Sequence, residues 1–141
     1  MLELIFVIVI IGVLASIAIP KMLATRYDAK VAVMRTDIEN AINEIVSYAI
    51  SQKGMINNIC KMSNSLTKLA SSNEANCSEE NVTTIEIDGA DCIRFEVIHT
   101  ATNDDLNVSE INSTNDLCKY LQKEIKPNQY EVRLNGMTVK F

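Results

Sequence analysis

The chain of 141 residues has no tryptophan, two prolines, four glycines and a single histidine, and aromatic residues make up 5% of it. With so few aromatics there is no platform for stacking nucleobases, and a formal net charge of −5 repels nucleic acid phosphates, so no nucleic acid partner is expected. The glycines form no loop of the kind that cradles a phosphate. His99 has no serine or cysteine at a spacing that suggests a catalytic triad, and reads as a surface or packing residue at a strand end. Asp104-Asp105 with Glu110, and Asp88 with Asp91, lack the ligand spacing of a calcium loop. The cysteines contain no C-x-x-C pair for a metal site. The expectation is a protein that is not an enzyme and carries neither cofactor nor metal.

What the chain does have is hydrophobic content, 48%, and that content is unevenly spread. Leu4 to Ile19 is an almost unbroken apolar run, relieved only by Gly12, Ala15, Ser16 and Ala18. A membrane span needs about 20 apolar residues, so this run is marginal in length. Glu3 stands at its head, where an ionised carboxylate is costly in lipid unless it sits at an interface or meets a cation. Three plain readings compete. For a secretory signal peptide, Ser16-Ile17-Ala18 would serve as the cleavage site, but an acid stands where the basic region belongs. A simple membrane anchor leaves Glu3 unexplained. A buried helix of a water-soluble domain would have a polar face, and this run has none.

Beyond Pro20 the pattern becomes one-sided. Tyr27, Val31, Met34, Ile38, Ala41, Ile42, Ile45 and Ala49 recur at helical spacing, while Arg26, Lys30, Asp37, Asn40, Glu44 and Ser51 fill the other faces. An amphipathic helix is expected to end near Lys53-Gly54. With no glycine or further proline between Pro20 and Gly54, both stretches read as one helix bent at Pro20. The expected organisation is therefore an apolar segment over 1–20, the amphipathic half of the same helix over 21–54, and a globular head over 55–141.

The run from Leu2 to Pro20, LELIFVIVIIGVLASIAIP, resembles the N-terminal signature of type IV pilins and type II secretion pseudopilins. With the amphipathic half, the resemblance covers about the first fifty residues. It implies a long helix packed on a four-stranded antiparallel sheet, an α+β pilin fold. It implies further that Glu3 matches the family's acidic residue, which neutralises the N-terminal amine of a neighbouring subunit, and that Gly12 and Pro20 bound a stretch that can unwind in the filament. In the family a leader with its cleavage site, and two residues that are usually Phe and Thr, precede the position of Met1. The resemblance thus places the natural start and its methylated amine upstream of Met1. The expected function is a structural subunit of an extracellular type IV pilus-like filament serving attachment and motility. Its partners would be identical subunits, the inner membrane before assembly, a prepilin peptidase and the pilus assembly machinery. The alternative is a periplasmic pseudopilin of a type II secretion or DNA-uptake system. A membrane-anchored binding module that never polymerises is a third reading, and it gives Glu3 no role.

In the head, Ile56, Ile59, Met62, Leu66 and Leu69 suggest a short second helix. Val82–Ile87 and Ile93–Ile98 read as strands around an Asp88-Gly89 turn, and Gln129–Leu134 and Met137–Phe141 as strands around Asn135-Gly136. Thr100 to Asn115 reads as a looser connection, followed by a helical turn carrying Leu117, Leu121 and Ile125 and ended by Pro127.

Cys60, Cys77, Cys92 and Cys118 all lie after the apolar segment, and an even count suggests two disulfides and an oxidising compartment. Four buried thiols are the plain alternative. Three connectivities are open, and we favour Cys60 with Cys77 and Cys92 with Cys118, each adding roughly 3 kcal/mol. Four N-x-S/T triplets begin at Asn76, Asn81, Asn107 and Asn112, and two residues before each asparagine stands an acid: Glu74, Glu79, Asp105 and Glu110. Acids are 18 of 141 residues, so four such coincidences would arise by chance about three times in ten thousand. The pattern resembles the extended D/E-x-N-x-S/T sequon of the oligosaccharyltransferase of Campylobacter-like bacteria, and implies glycans on the loops flanking the first hairpin.

Overall fold

The structure is a computed structural model that describes the backbone of residues 2–101, 103–133 and 138–140, and the side chains in those ranges except 19–21, 23, 24, 131, 133 and 138–140. The chain divides into two compact units, Met1–Val33 and Met34–Phe141, and the division falls inside the first helix, α1 (Leu2–Gln52). Pro20 lies within that helix, with its side chain outside the described set. In the first unit every side chain from Leu2 to Ala18 is exposed. Among the described residues no helix is long and apolar enough to cross a membrane.

In the second unit the apolar stripe of α1 is buried as its spacing requires. Met34, Ile38, Ala41, Ile42, Ile45 and Ala49 are all at most 4% exposed, while Asn40, Asn43 and Ser47 face solvent. Tyr27, counted in the same stripe from its spacing, is half exposed. The helix ends in a Schellman turn: Lys53 takes the left-handed conformation (φ 58°), and the Gly54 N–H donates to the Ala49 carbonyl over 2.9 Å. The helix thus ends next to Lys53-Gly54 as expected, and the residue that turns left-handed is Lys53. Gly54 serves a different purpose, since a Cβ there would sit 3.2 Å from Asp104 Oδ2.

The second helix of the sequence reading is split in two. A 3-10 turn over Ile59–Met62 gives way at Ser63 to α2 (Asn64–Ser71). Ser63 closes the first and caps the second, its hydroxyl accepting from the Leu66 N–H at 3.1 Å. The apolar period runs through both pieces, so Ile59, Met62, Leu66 and Leu69 are buried together.

The sheet is an antiparallel meander of six strands in chain order: β1 (Ala75–Asn76), β2 (Val82–Ile87), β3 (Ala90–His99), β4 (Asp104–Glu110), β5 (Glu131–Arg133) and β6 (Thr138–Lys140). It contains the four strands expected from the sequence and two more, β1 and β4. The middle of the stretch read as a looser connection is a central strand, β4, because Leu106 and Val108 alternate with polar residues and both are fully buried. Asp88 and Gly89 join β2 to β3 with positive φ at both positions (51° and 76°), the backbone of a tight hairpin turn. The Asn135-Gly136 turn lies outside the described residues. On the buried face, Thr83, Phe95 and Val108 form one row across β2, β3 and β4, and Val97, Leu106 and Val132 form another across β3, β4 and β5. α3 (Asp116–Ile125) buries Cys118, Leu121 and Ile125 and is capped by Asn115, whose side-chain oxygen accepts from the Leu117 and Cys118 N–H groups. Full burial of side chains such as Phe95, Leu106 and Leu121 contributes about 1.5–3 kcal/mol each.

Candidate functional site

The apolar segment has two features besides its hydrophobicity. Glu3 stands exposed in the first turn of α1. The Ser16 hydroxyl donates to the Val13 carbonyl at 2.8 Å, so this polar group is satisfied inside the helix. Between Leu2 and Ala18 that leaves the Glu3 carboxylate as the one charged side chain among apolar ones. A Cβ on Gly12 would meet nothing within 4 Å, so packing within the chain does not call for glycine at that position. The large apolar side chains from Leu2 to Ile17 range from 43% to 83% exposed. A patch of this extent exceeds by far what a monomeric soluble protein leaves in water.

The four cysteines form two disulfides, Cys60–Cys77 and Cys92–Cys118, with Cα atoms 6.0 and 5.4 Å apart. The first ties the 3-10 turn before α2 to the chain leaving β1. The second ties β3 to α3. Both sit within the second unit, which is the pairing favoured from the sequence.

The sequon asparagines do not share one environment. Asn76 ends the short strand β1, Asn81 directly precedes β2, Asn107 lies in the middle of β4, and Asn112 occupies the segment between β4 and α3. Placement on loops flanking the first hairpin is therefore corrected for Asn107, whose backbone is paired on both sides, to Glu96 in β3 and Glu131 in β5. The correction has the same origin as the missed strand: polar residues with weak strand preference concealed the alternation.

Two carboxylates, Asp104, weighed from sequence only as a calcium ligand, and Glu44, counted only as part of a polar helix face, organise the head. Asp104 Oδ2 accepts from the Met55 N–H at 2.7 Å and its Oδ1 pairs with His99 Nδ1 at 2.8 Å, so one side chain joins the end of α1 to the β3–β4 turn. The Met55 N–H first, then His99, hold the Asp104 carboxyl below its ordinary pKa against the opposing effect of burial. Glu44, on α1, accepts from Ser63 Oγ at 2.6 Å, from the Ser65 N–H at 2.9 Å and from Ser65 Oγ at 3.1 Å. Burial by itself raises its pKa, and these donated bonds reverse the effect and bring it below the usual value. Glu44 thereby caps α2 from a neighbouring helix. It also lines an open groove of 520 Å³ together with Asn40, Asn43, Tyr48, Lys61 and Met62. Among the described residues no group of three or more histidine, cysteine or acidic side chains could hold a metal ion. No family model, curated protein or solved structure matches the chain.

Proposed function

We propose that the chain is a structural subunit of an extracellular filament of the type IV pilin kind, polymerising through the apolar part of α1. The observation that carries this reading is the all-round exposure of the large apolar side chains from Leu2 to Ile17, headed by Glu3. A surface with no polar side has two environments in which it is stable, lipid and copies of itself. The sixteen-residue run from Leu4 to Ile19 extends about 24 Å as a helix, short of a comfortable bilayer span and sufficient for dry packing among like helices. The inner membrane holds the subunit before assembly, and the filament holds it afterwards.

Apolar helices packed together have little axial register, since one leucine surface fits another equally well at many offsets. Glu3 supplies register. Left unpaired in an apolar surrounding it costs several kcal/mol, so offsets that fail to bring a cation to it are selected against, even though the pair itself adds little net stability. Gly12, where an added Cβ would meet nothing within 4 Å, leaves room for a neighbouring helix to approach closely. The two disulfides suit a small head exposed outside the cell.

The deciding experiment is electron microscopy of filaments sheared from the producing cells, with mass spectrometry of their protein. Peptides of this chain as the main component support a filament subunit, and cells that carry the protein without any filament containing it refute it. Glu3→Ala is expected to abolish filaments while the protein still fractionates with the membrane; abundant normal filaments from that variant would remove the role given to Glu3.

A further inference from the structure

We propose that Asn112 is a glycan acceptor in the folded protein and that the other three sequon asparagines are closed to modification once the head has folded. The inference goes beyond the filament reading and holds for a folded monomer. Transfer requires that the acceptor triplet leave the protein surface and lie extended in an enzyme, with the asparagine amide at the sugar donor and the hydroxyl at +2 free to be read.

The segment from Ile111 to Asn115 is the one place where the fold permits this. It is anchored at its two ends. The Ile111 N–H donates to the Cys92 carbonyl at 2.9 Å and Gln122 Nε2 donates to the Ile111 carbonyl at 2.8 Å. At the other end Asn115 caps α3 and its Nδ2 donates to the Ile87 carbonyl at 3.4 Å. Between these anchors Asn112 and Thr114 are exposed and belong to no helix or strand. Glu110, the acid at −2, is exposed at the end of β4. A hollow of 380 Å³ walled by Lys119, Gln122 and Asn128 opens beside Asn112, with polar groups suited to a first sugar.

The other triplets are each held by a specific structure. Asn81 has φ 63°; its N–H donates to the Asn57 carbonyl at 2.7 Å, its carbonyl accepts from Val97, and its Oδ1 is buried. Thr83, the hydroxyl residue of that triplet, is 1% exposed in the sheet interior. Asn107 and Ser109 lie on β4, where modification would require opening the sheet at its centre. Asn76 is exposed, but its Oδ1 accepts from both the N–H and the hydroxyl of Ser78, and the intervening Cys77 is bonded to Cys60.

In the proposed step, Asn112 Nδ2 forms a bond to the anomeric carbon of an oligosaccharide carried on a polyprenyl pyrophosphate. The bond from that carbon to the pyrophosphate oxygen breaks, polyprenyl pyrophosphate departs with the electron pair, and the amide releases one proton.

The test uses the disulfide-intact full chain in mild detergent, a purified bacterial oligosaccharyltransferase that requires an acid at −2, and a polyprenyl-pyrophosphate-linked oligosaccharide, with synthetic peptides of the four triplets as unstructured references. Peptide mass spectrometry is expected to find the glycan on Asn112 alone in the folded chain, and on all four peptides. Asn112→Gln and Glu110→Gln, both at exposed positions, are expected to reduce modification of the folded chain to background. A folded chain left unmodified at Asn112, or one modified at Asn81, Asn107 or Asn76, overturns the proposal.

Discussion

Removal of the Asp104 side chain is expected to loosen the junction between the end of α1 and the β3–β4 turn, and the size of the effect follows from its two bonds. The Met55 N–H, on a residue 7% exposed, loses a charged acceptor at 2.7 Å. A hydrogen bond to a charged group contributes about 1.5–3 kcal/mol, and a donor left unpaired in a buried place incurs a similar cost. The pair with His99 is partly exposed, with side chains at 33% and 22%, and adds at most about 1 kcal/mol. Asp104→Ala should therefore destabilise the head by about 2 kcal/mol, which for a unit of this size lowers Tm by roughly 10 °C. Asp104→Asn keeps an acceptor for Met55 and should lose about half as much. Gly54→Ala tests the same contact from the other side, because its Cβ would sit 3.2 Å from Oδ2 and displace it. The cost of Gly54→Ala should vanish in the Asp104→Ala background. The pH dependence has a definite sign. A carboxyl whose folded pKa lies below its unfolded value contributes stability above the unfolded pKa, about 3.9, and loses it as pH falls through the folded one. Thermal unfolding of the full chain in detergent, followed by circular dichroism at pH 7 and in acid, reads all of this. An Asp104→Ala protein with unchanged Tm at pH 7, or a deficit that persists undiminished at acid pH, would refute the reasoning.

Glu44→Ala should free the Ser63 and Ser65 donors at the start of α2 and cost about 1–3 kcal/mol; because its pKa is also lowered, the deficit should again shrink in acid, and equal unfolding midpoints in urea at pH 7 would count against it. Cys92→Ser with Cys118→Ser opens a closed loop with a sequence separation of 26 and should lower stability by roughly 3 kcal/mol, as measured by urea midpoint against the intact protein. A midpoint unaffected by the double change would mean that β3 and α3 need no covalent tie.

The parts of the fold that could be read from sequence are those where one physical effect dominates. Met34 to Ala49 repeat at helical spacing with strong apolar contrast, and Asp88-Gly89 can hardly be anything but a tight turn. β4 was concealed because only Leu106 and Val108 carry its inward face, between Asp104, Asp105, Asn107 and Ser109, residues that individually favour turns. The break at Ser63 was concealed because the apolar period runs through it unchanged. The acceptor triplets were visible as strings of residues, but their differences are tertiary: Thr83 is inaccessible because it packs beside Phe95, and nothing local to Asn81 says so. Asp104 and His99 face each other across a turn, and the link to Met55 exists only once α1 and the sheet are in place.

Among the described residues each strand of the sheet pairs with its chain neighbours, so β1 and β6 are its margins. β1 is two residues long, is followed directly by a disulfide-bonded cysteine, and exposes Asn76 with its side chain folded back onto Ser78. Such a margin gives a second sheet almost no ladder to extend. For a protein proposed to bring many copies together through its helices, that matters: copies at high local concentration find little opportunity to zip together through this edge of their heads.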